Sequence, residues 1–133
     1  MRITKEAQIG KPTKKRVNKI NIDLWGQIIR LRDKKCRYCG TTETLNAHHI
    51  FTRSRLNTRY DPENGILLCA AHHTLSSVFS AHKTPRAFFV WLEGKMGKEK
   101  LDALEKRSQM DGHGLDVWAV RLFLEQELKK TTN

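Results

Sequence analysis

Two metal-ligand pairs at fixed spacing constrain the fold of this chain most strongly. Cys36 and Cys39 are separated by two residues, and Cys69 and His72 repeat that spacing further along the chain. Thiolates and an imidazole at this spacing suit one tetrahedral zinc ion. Because three cysteines cannot complete a disulfide framework, the sequence predicts a Cys₃His site for a structural Zn²⁺. His73 is the alternative fourth ligand.

Positive charge is concentrated near the start of the chain. The 133 residues carry a net charge of +11, and residues 1–35 contain eleven lysines and arginines against three acidic residues. A basic arm beside a nearly neutral body suits a polyanion, because each neutralised phosphate releases counterions. We therefore expect a nucleic acid partner; the alternative is a solvated tail that only aids solubility.

The length suits one domain with an appended arm. We expect residues 1–20 to form a flexible basic arm and residues 21–133 to form the domain, with its core at 36–82. A hydrophobic content of 38% is low for this length, so zinc would supplement a small core. No apolar run reaches the roughly 20 residues of a membrane helix, and the charged N-terminus lacks an apolar signal region. These features predict a cytoplasmic protein.

Hydrophobic periodicity predicts an α+β fold. Apolar residues recur at helical spacing before the first cysteine pair and again over the C-terminal third, with two short strands between them. The predicted elements are a helix capped by Asp23, strands at 44–51 and 66–69, a helix over about 70–81, and helices starting near Pro85, Lys98 and Asp116.

A histidine pair and two further polar residues suggest chemistry at the predicted zinc-stapled core. Histidine can take a proton from water near neutral pH, and a divalent metal can stabilise a phosphate and its leaving oxygen. His48 and His49 are adjacent on a predicted strand, so their side chains point to opposite faces, which separates a metal ligand from a base. His73 could aim back at this strand from a helix start, and the Asn64 amide could pin a loop.

This pattern resembles the HNH endonucleases, also called ββα-metal or His-Me finger nucleases. Its layout is most similar to the small stand-alone enzymes of bacteriophages and prophages. The resemblance implies a ββα-metal core with a Cys₃His zinc staple, surrounded by α-helices. The matching motifs are Cys36-x-x-Cys39, His48-His49-Ile50, Asn64-Gly65-Ile66-Leu67-Leu68-Cys69 and Cys69-x-x-His72-His73.

The resemblance also implies roles for single residues. His49 would be the general base that activates water, and Asn64 would orient the catalytic loop. His48 and His73 would bind a catalytic divalent ion, Mg²⁺ or Mn²⁺, although histidine ligands also suit Ni²⁺, Co²⁺ or Zn²⁺. Members usually carry a fourth cysteine at the position of His72. This difference leaves open which of His72 and His73 binds zinc and which serves catalysis. The structural zinc would be held by Cys36, Cys39, Cys69 and His72.

The implied activity is hydrolysis of DNA phosphodiester bonds. We expect nicking or cutting with weak sequence preference and a 5′-phosphate product, and by resemblance a role in phage DNA processing or packaging with packaging proteins as partners. Three arginines follow the histidine strand, at the place where the substrate phosphate must pass. We therefore expect nucleic acid contacts at Arg53, Arg55 and Arg59. The alternative function is a non-catalytic zinc-stapled module that binds nucleic acid. His82 could either cap a helix end or approach the metal, and the sequence leaves monomer and weak dimer open.

Overall fold

The first helix is longer than the sequence pattern predicts. The computed structural model describes residues 12–132, and helix α1 spans Lys14–Asp33. Its N-cap is Thr13, whose hydroxyl accepts from the Arg16 amide at 3.2 Å, so the predicted start at Asp23 is wrong. The helix begins earlier because Val17 is buried and continues its apolar stripe. Residues 1–11 of the predicted arm lie outside the described residues.

A small antiparallel sheet lies at the centre of the fold. Strands β1 (Leu45–His49) and β2 (Gly65–Cys69) pair with Leu45 opposite Cys69. Backbone groups on the outer edge of β2 also have hydrogen-bond partners. The Leu67 amide donates to Asp33 Oδ2 at 3.0 Å. The Leu67 carbonyl accepts from the Arg37 amide at 2.9 Å. These bonds fix the first cysteine pair against β2.

Helices cover both faces of the sheet. On one face, Trp25 and Ile29 of α1 pack on Leu67. On the other face, Ile66 and Leu68 belong to the main core, which helical residues between 88 and 104 complete. Gly65 is required where α1 crosses the sheet, because a Cβ there would lie 2.5 Å from Ile29 and 2.6 Å from Trp25.

Three C-terminal helices occur at the predicted places. They are α2 (Pro85–Met96), α3 (Lys98–Gln109) and α4 (Val117–Thr132), and α4 packs along α1. Asp116 caps α4, since its Oδ1 accepts from the Trp118 and Ala119 amides at 3.1 Å each. The Thr84 hydroxyl does not cap α2; it bonds the backbone of Ser80 instead.

The predicted helix over 70–81 is replaced by a single turn. A π-helical turn spans Ala71–Leu75 and ends at Ser76. The Ser76 hydroxyl accepts from the amides of Val78 and Phe79 at 3.1 and 3.2 Å, and this local turn outcompetes further helix. The chain then returns, and the His82 amide donates to the His73 carbonyl at 3.0 Å.

Helices around one small sheet confirm the α+β class. Among the described residues, no helix is both long enough and apolar enough to cross a membrane.

Candidate metal and catalytic site

The two predicted ligand pairs meet in one cluster. Cys36, Cys39, Cys69 and His72 place their ligand atoms within 4.8 Å of one another. Within the cluster, His72 Nδ1 lies 3.2 Å from Cys69 Sγ, and Cys39 Sγ lies 3.8 Å from Cys69 Sγ. Three sulfurs and one imidazole nitrogen are a complete tetrahedral donor set, so the cluster is compatible with a zinc site.

The protein environment shifts the pKa values of two of the cysteine thiols in opposite directions. Burial alone would raise the pKa of the Cys36 thiol, but backbone hydrogen bonds from Cys39, Cys69 and Tyr38, with the His72 side chain, lower it to about 6. Burial is the largest cause that raises the pKa of Cys69. A zinc ligand must be a thiolate, and the Cys36 position already favours that form.

A second cluster consists of three histidines. His48 on β1, His73 on the π-helical turn and His82 after it place their ligand atoms within 4.8 Å of one another. The rings of His48 and His73 have centroids 5.0 Å apart, and those of His73 and His82 4.8 Å. Two adjacent residues therefore belong to different clusters: His72 joins the cysteines, whereas His73 joins His48.

The environment of the three histidines disfavours positive charge. Burial, followed by the neighbouring His73 and His82, lowers the pKa of His48 to about 3. Burial and then the charge of His82 lower the pKa of His73. Neutral imidazoles keep the lone pair that binds a metal, so the cluster can hold a divalent ion.

His49 lies on the opposite face of β1, as the strand geometry predicts. Its Nε2 is 2.9 Å from the Arg59 carbonyl. A carbonyl only accepts, so this nitrogen carries the proton and Nδ1 of the neutral ring keeps its lone pair. Burial is the largest cause that lowers the pKa of His49, and the charges of Arg53 and Arg59 act in the same direction. The ring is therefore set up to accept a proton through Nδ1.

The Asn64 side chain holds the loop between the two strands. It is fully buried, and its Oδ1 accepts from the Phe51 amide at 2.8 Å. Its Nδ2 donates to the carbonyls of Phe51 and Thr58 at 2.9 and 3.1 Å. The loop pinned in this way includes the Arg59 carbonyl that orients His49.

The three predicted arginines do not lie together. Arg53 lines a cleft of about 480 Å³ with His49 and His73. Arg55 lines a different groove beside Phe51 and α2. Arg59 donates through Nε to the Arg53 carbonyl at 2.6 Å, so its guanidinium also supports the loop.

Sequence reasoning missed several residues at this cleft. Gln27 and Arg30 of α1 line it, and Trp25 stacks on His49. The arginine had a detectable signal, since Arg30 lies on the polar face of a helix just before the first cysteine pair. Nothing local marks Trp25, because an apolar residue at helical spacing is usually part of the core.

Comparison with protein families identifies a match within the chain. Residues 36–83 match the HNH endonuclease family. Searches among curated proteins and solved structures return no match. The matched segment contains both metal-ligand clusters, His49 and Asn64, whereas α1 precedes it and helices α2, α3 and α4 follow it. Over residues 36–83, this chain is similar to the HNH endonuclease family.

Proposed function

We propose that this protein is a metal-dependent endonuclease that hydrolyses DNA phosphodiester bonds. The observation that carries the proposal is the separation of two histidine functions across one strand. His48 lies within metal-binding distance of His73 and His82, and His49 on the other face bonds a carbonyl through Nε2. A module that only binds nucleic acid needs neither arrangement. The match of residues 36–83 to the HNH endonuclease family supports nuclease activity on DNA.

His49 is the general base in this proposal. Nδ1 of the neutral ring takes a proton from water as that water attacks phosphorus, and the positive charge that develops is stabilised through the Nε2–H bond to the Arg59 carbonyl. A divalent ion bound by His48, His73 and His82 would supply charge stabilisation for the phosphate and the leaving 3′-oxygen. Cleavage of the bond to that oxygen leaves a 5′-phosphate.

The donor set suggests which ion is bound. All three residues of the cluster offer imidazole nitrogen, and no carboxylate belongs to it within the described residues 12–132. Imidazole suits Ni²⁺, Co²⁺ and Zn²⁺, whereas Mg²⁺ prefers oxygen ligands. We therefore favour these ions over Mg²⁺. The separate Cys₃His cluster would hold a structural Zn²⁺ that fixes the π-helical turn to β2.

Two arginines suit the path of the DNA backbone. Arg30 on α1 and Arg53 after β1 line the cleft that contains His49, and guanidinium groups bind phosphate well. Base-reading contacts are not expected to dominate, so we propose nicking or cutting with weak sequence preference. One such site cuts one strand per visit, and a role in phage DNA processing or packaging is part of the proposal by resemblance only.

A plasmid-nicking assay tests this function. Protein that retains zinc but is stripped of the weaker metal should nick supercoiled DNA when Mn²⁺, Ni²⁺ or Co²⁺ is added. His49→Ala should lower the rate at least about 100-fold, because general base catalysis contributes that much. His113→Ala is the matched control, since this histidine is exposed and bonds Asp111 outside both metal-ligand clusters.

Two results would contradict the proposal: no cleavage by the parent with any of these ions, or equal cleavage by His49→Ala. Metal content gives a second test. The endonuclease proposal requires a second metal site besides zinc, whereas a non-catalytic zinc module requires only one.

A further inference from the structure

One aromatic side chain from outside the family-matched segment contacts the proposed base. The indole of Trp25 and the imidazole of His49 are stacked, with centroids 3.8 Å apart and planes 9° from parallel. Trp25 belongs to α1, which precedes residues 36–83. The contact therefore connects an element outside the matched segment with the centre of the proposed chemistry.

The indole is itself held in a fixed orientation. Trp25 is only 2% exposed and packs with Ile29 and Leu67. Its Nε1–H donates to the Asp61 carbonyl at 2.8 Å. Asp61 is anchored in turn, because its carboxylate accepts from the Glu63 amide and from Arg107 of α3. A side chain fixed by packing and by a hydrogen bond offers a rigid surface to its neighbour.

His49 needs such a surface to present Nδ1 reproducibly. The second side-chain torsion of histidine has a broad energy profile. The bond from Nε2 to the Arg59 carbonyl fixes the position of one ring nitrogen, but rotation about that bond can still tilt the ring plane. A parallel aromatic face removes this freedom. The hydrogen bond and the stack together then fix the orientation of Nδ1.

We infer that Trp25 is a positioning residue for the general base: its indole holds the His49 imidazole in the plane in which Nε2 bonds the Arg59 carbonyl and Nδ1 stays available to water. The inference rests on the proposed function. It differs from a purely structural role of Trp25 in the core, because core packing requires an apolar side chain of similar size and no aromatic face.

Substitutions that separate aromatic character from bulk test the inference. Trp25→Leu keeps an apolar side chain but removes the flat face, and we expect single-turnover cleavage to slow by roughly 10- to 100-fold, as for a misplaced catalytic group. Affinity for DNA measured without the catalytic metal should stay within about twofold. Trp25→Phe restores a face and should recover most of the rate, although it lacks the N–H that bonds Asp61. Phe123→Leu on α4, where the aromatic ring is half exposed, is the matched control and should cleave like the parent.

The ring stack has its own spectroscopic signature. In the NMR spectrum of the parent, the His49 ring protons should be shifted upfield by the ring current of Trp25, and the Phe variant should keep part of this shift. This measurement tests whether the two rings stack even if Trp25→Leu fails to fold. The zinc content and thermal unfolding of the variant show whether it folds.

The outcomes separate this inference from the proposed function. A parent protein without metal-dependent cleavage defeats the proposed function. If the parent cleaves, two results contradict the role of Trp25 alone. Either the folded Trp25→Leu variant cleaves as fast as the parent, or its DNA affinity falls by as large a factor as its cleavage rate. Absence of the upfield shift of His49 would overturn the inference as well.

Discussion

At the scale of single residues, adjacent histidines acquire different chemistry from the surfaces that they face. His48 and His49 follow one another on β1, yet one contacts two further histidines and the other contacts an indole and a carbonyl. Burial lowers the pKa of both, so both are neutral bases. Only their neighbours decide that the first suits a metal and the second suits a proton.

His82 is the residue whose role the structure sharpens most. It lies within 4.8 Å, by ligand atoms, of His48 and His73, so we predict that His82→Ala weakens binding of the second metal by at least about 10-fold. Isothermal titration calorimetry of zinc-retaining protein with Ni²⁺ measures this affinity. Zinc content should be unchanged, and His113→Ala should bind Ni²⁺ like the parent. Equal affinity of His82→Ala and parent would show that two histidines suffice.

Asn64 is expected to matter for stability as well as for activity. Asn64→Ala leaves the Phe51 amide and the Phe51 and Thr58 carbonyls without the partners they have now. Because each unsatisfied buried group costs about 1–3 kcal/mol, we predict a fall of at least about 2 kcal/mol in the free energy of unfolding. Urea denaturation of the zinc-bound protein measures it.

The matched control for this stability effect is Asn46→Ala. Among residues 12–132, the Asn46 amide bonds only the Thr44 carbonyl, at 3.5 Å. Its loss should therefore change the free energy of unfolding by well under 1 kcal/mol, as for most surface changes. If both variants lose the same amount, the Asn64 bonds contribute nothing specific to the loop.

At the scale of elements, one π-helical turn connects the two metal-ligand clusters. It carries His72 into the first cluster and His73 into the second, and the Ser76 hydroxyl then redirects the chain so that His82 returns to His73. A regular helix over 70–81 would have carried the chain away from β1, since each residue adds about 1.5 Å along the axis. The second cluster therefore depends on where this turn ends.

Ser76→Ala tests this dependence. Without the hydroxyl, the amides of Val78 and Phe79 lose their acceptor, and we expect weaker Ni²⁺ binding at the second cluster with zinc content unchanged. Ser77→Ala, at the adjacent exposed serine, is the control and should leave both metals unaffected. Loss of zinc from Ser76→Ala, or no change in Ni²⁺ affinity, would contradict the proposed role of the turn.

At the scale of the whole molecule, α1 and the histidine core together enclose the cleft. Arg30 approaches from the helix and Arg53 from the loop after β1. Within the described residues 12–132, the Arg30 side chain forms no ion pair, so its charge is available to a phosphate. On the other side of the sheet, Arg37 lines a separate cavity along β2.

This arrangement predicts the salt dependence of DNA binding. Arg30→Gln should reduce the slope of log affinity against log salt concentration by about 1, because one phosphate contact is lost. Arg37→Gln removes the same charge at the other edge and should leave the slope nearly unchanged. Fluorescence anisotropy with a duplex oligonucleotide, without the catalytic metal, measures both. Equal slopes for the two variants would place the DNA elsewhere.

Local spacing in the sequence was enough to predict the ligand pairs, the opposed histidine pair, the two short strands and the C-terminal helices. Residues a few positions apart on one segment have their relative geometry fixed by the backbone itself. The same reasoning failed for the helix over 70–81, because the Ser76 hydroxyl offers the backbone a competing turn that periodicity does not register.

Only the tertiary structure decided which of His72 and His73 joins each cluster, that His82 completes the second, and that Trp25 faces His49. These contacts join separate elements, and their distances depend on how α1 and the π-helical turn pack against the sheet. The sequence by itself determined which side chains are present to do chemistry. The packing of the core determined which of them meet, because side chains far apart in the chain acquire a fixed geometry only when the elements that carry them do.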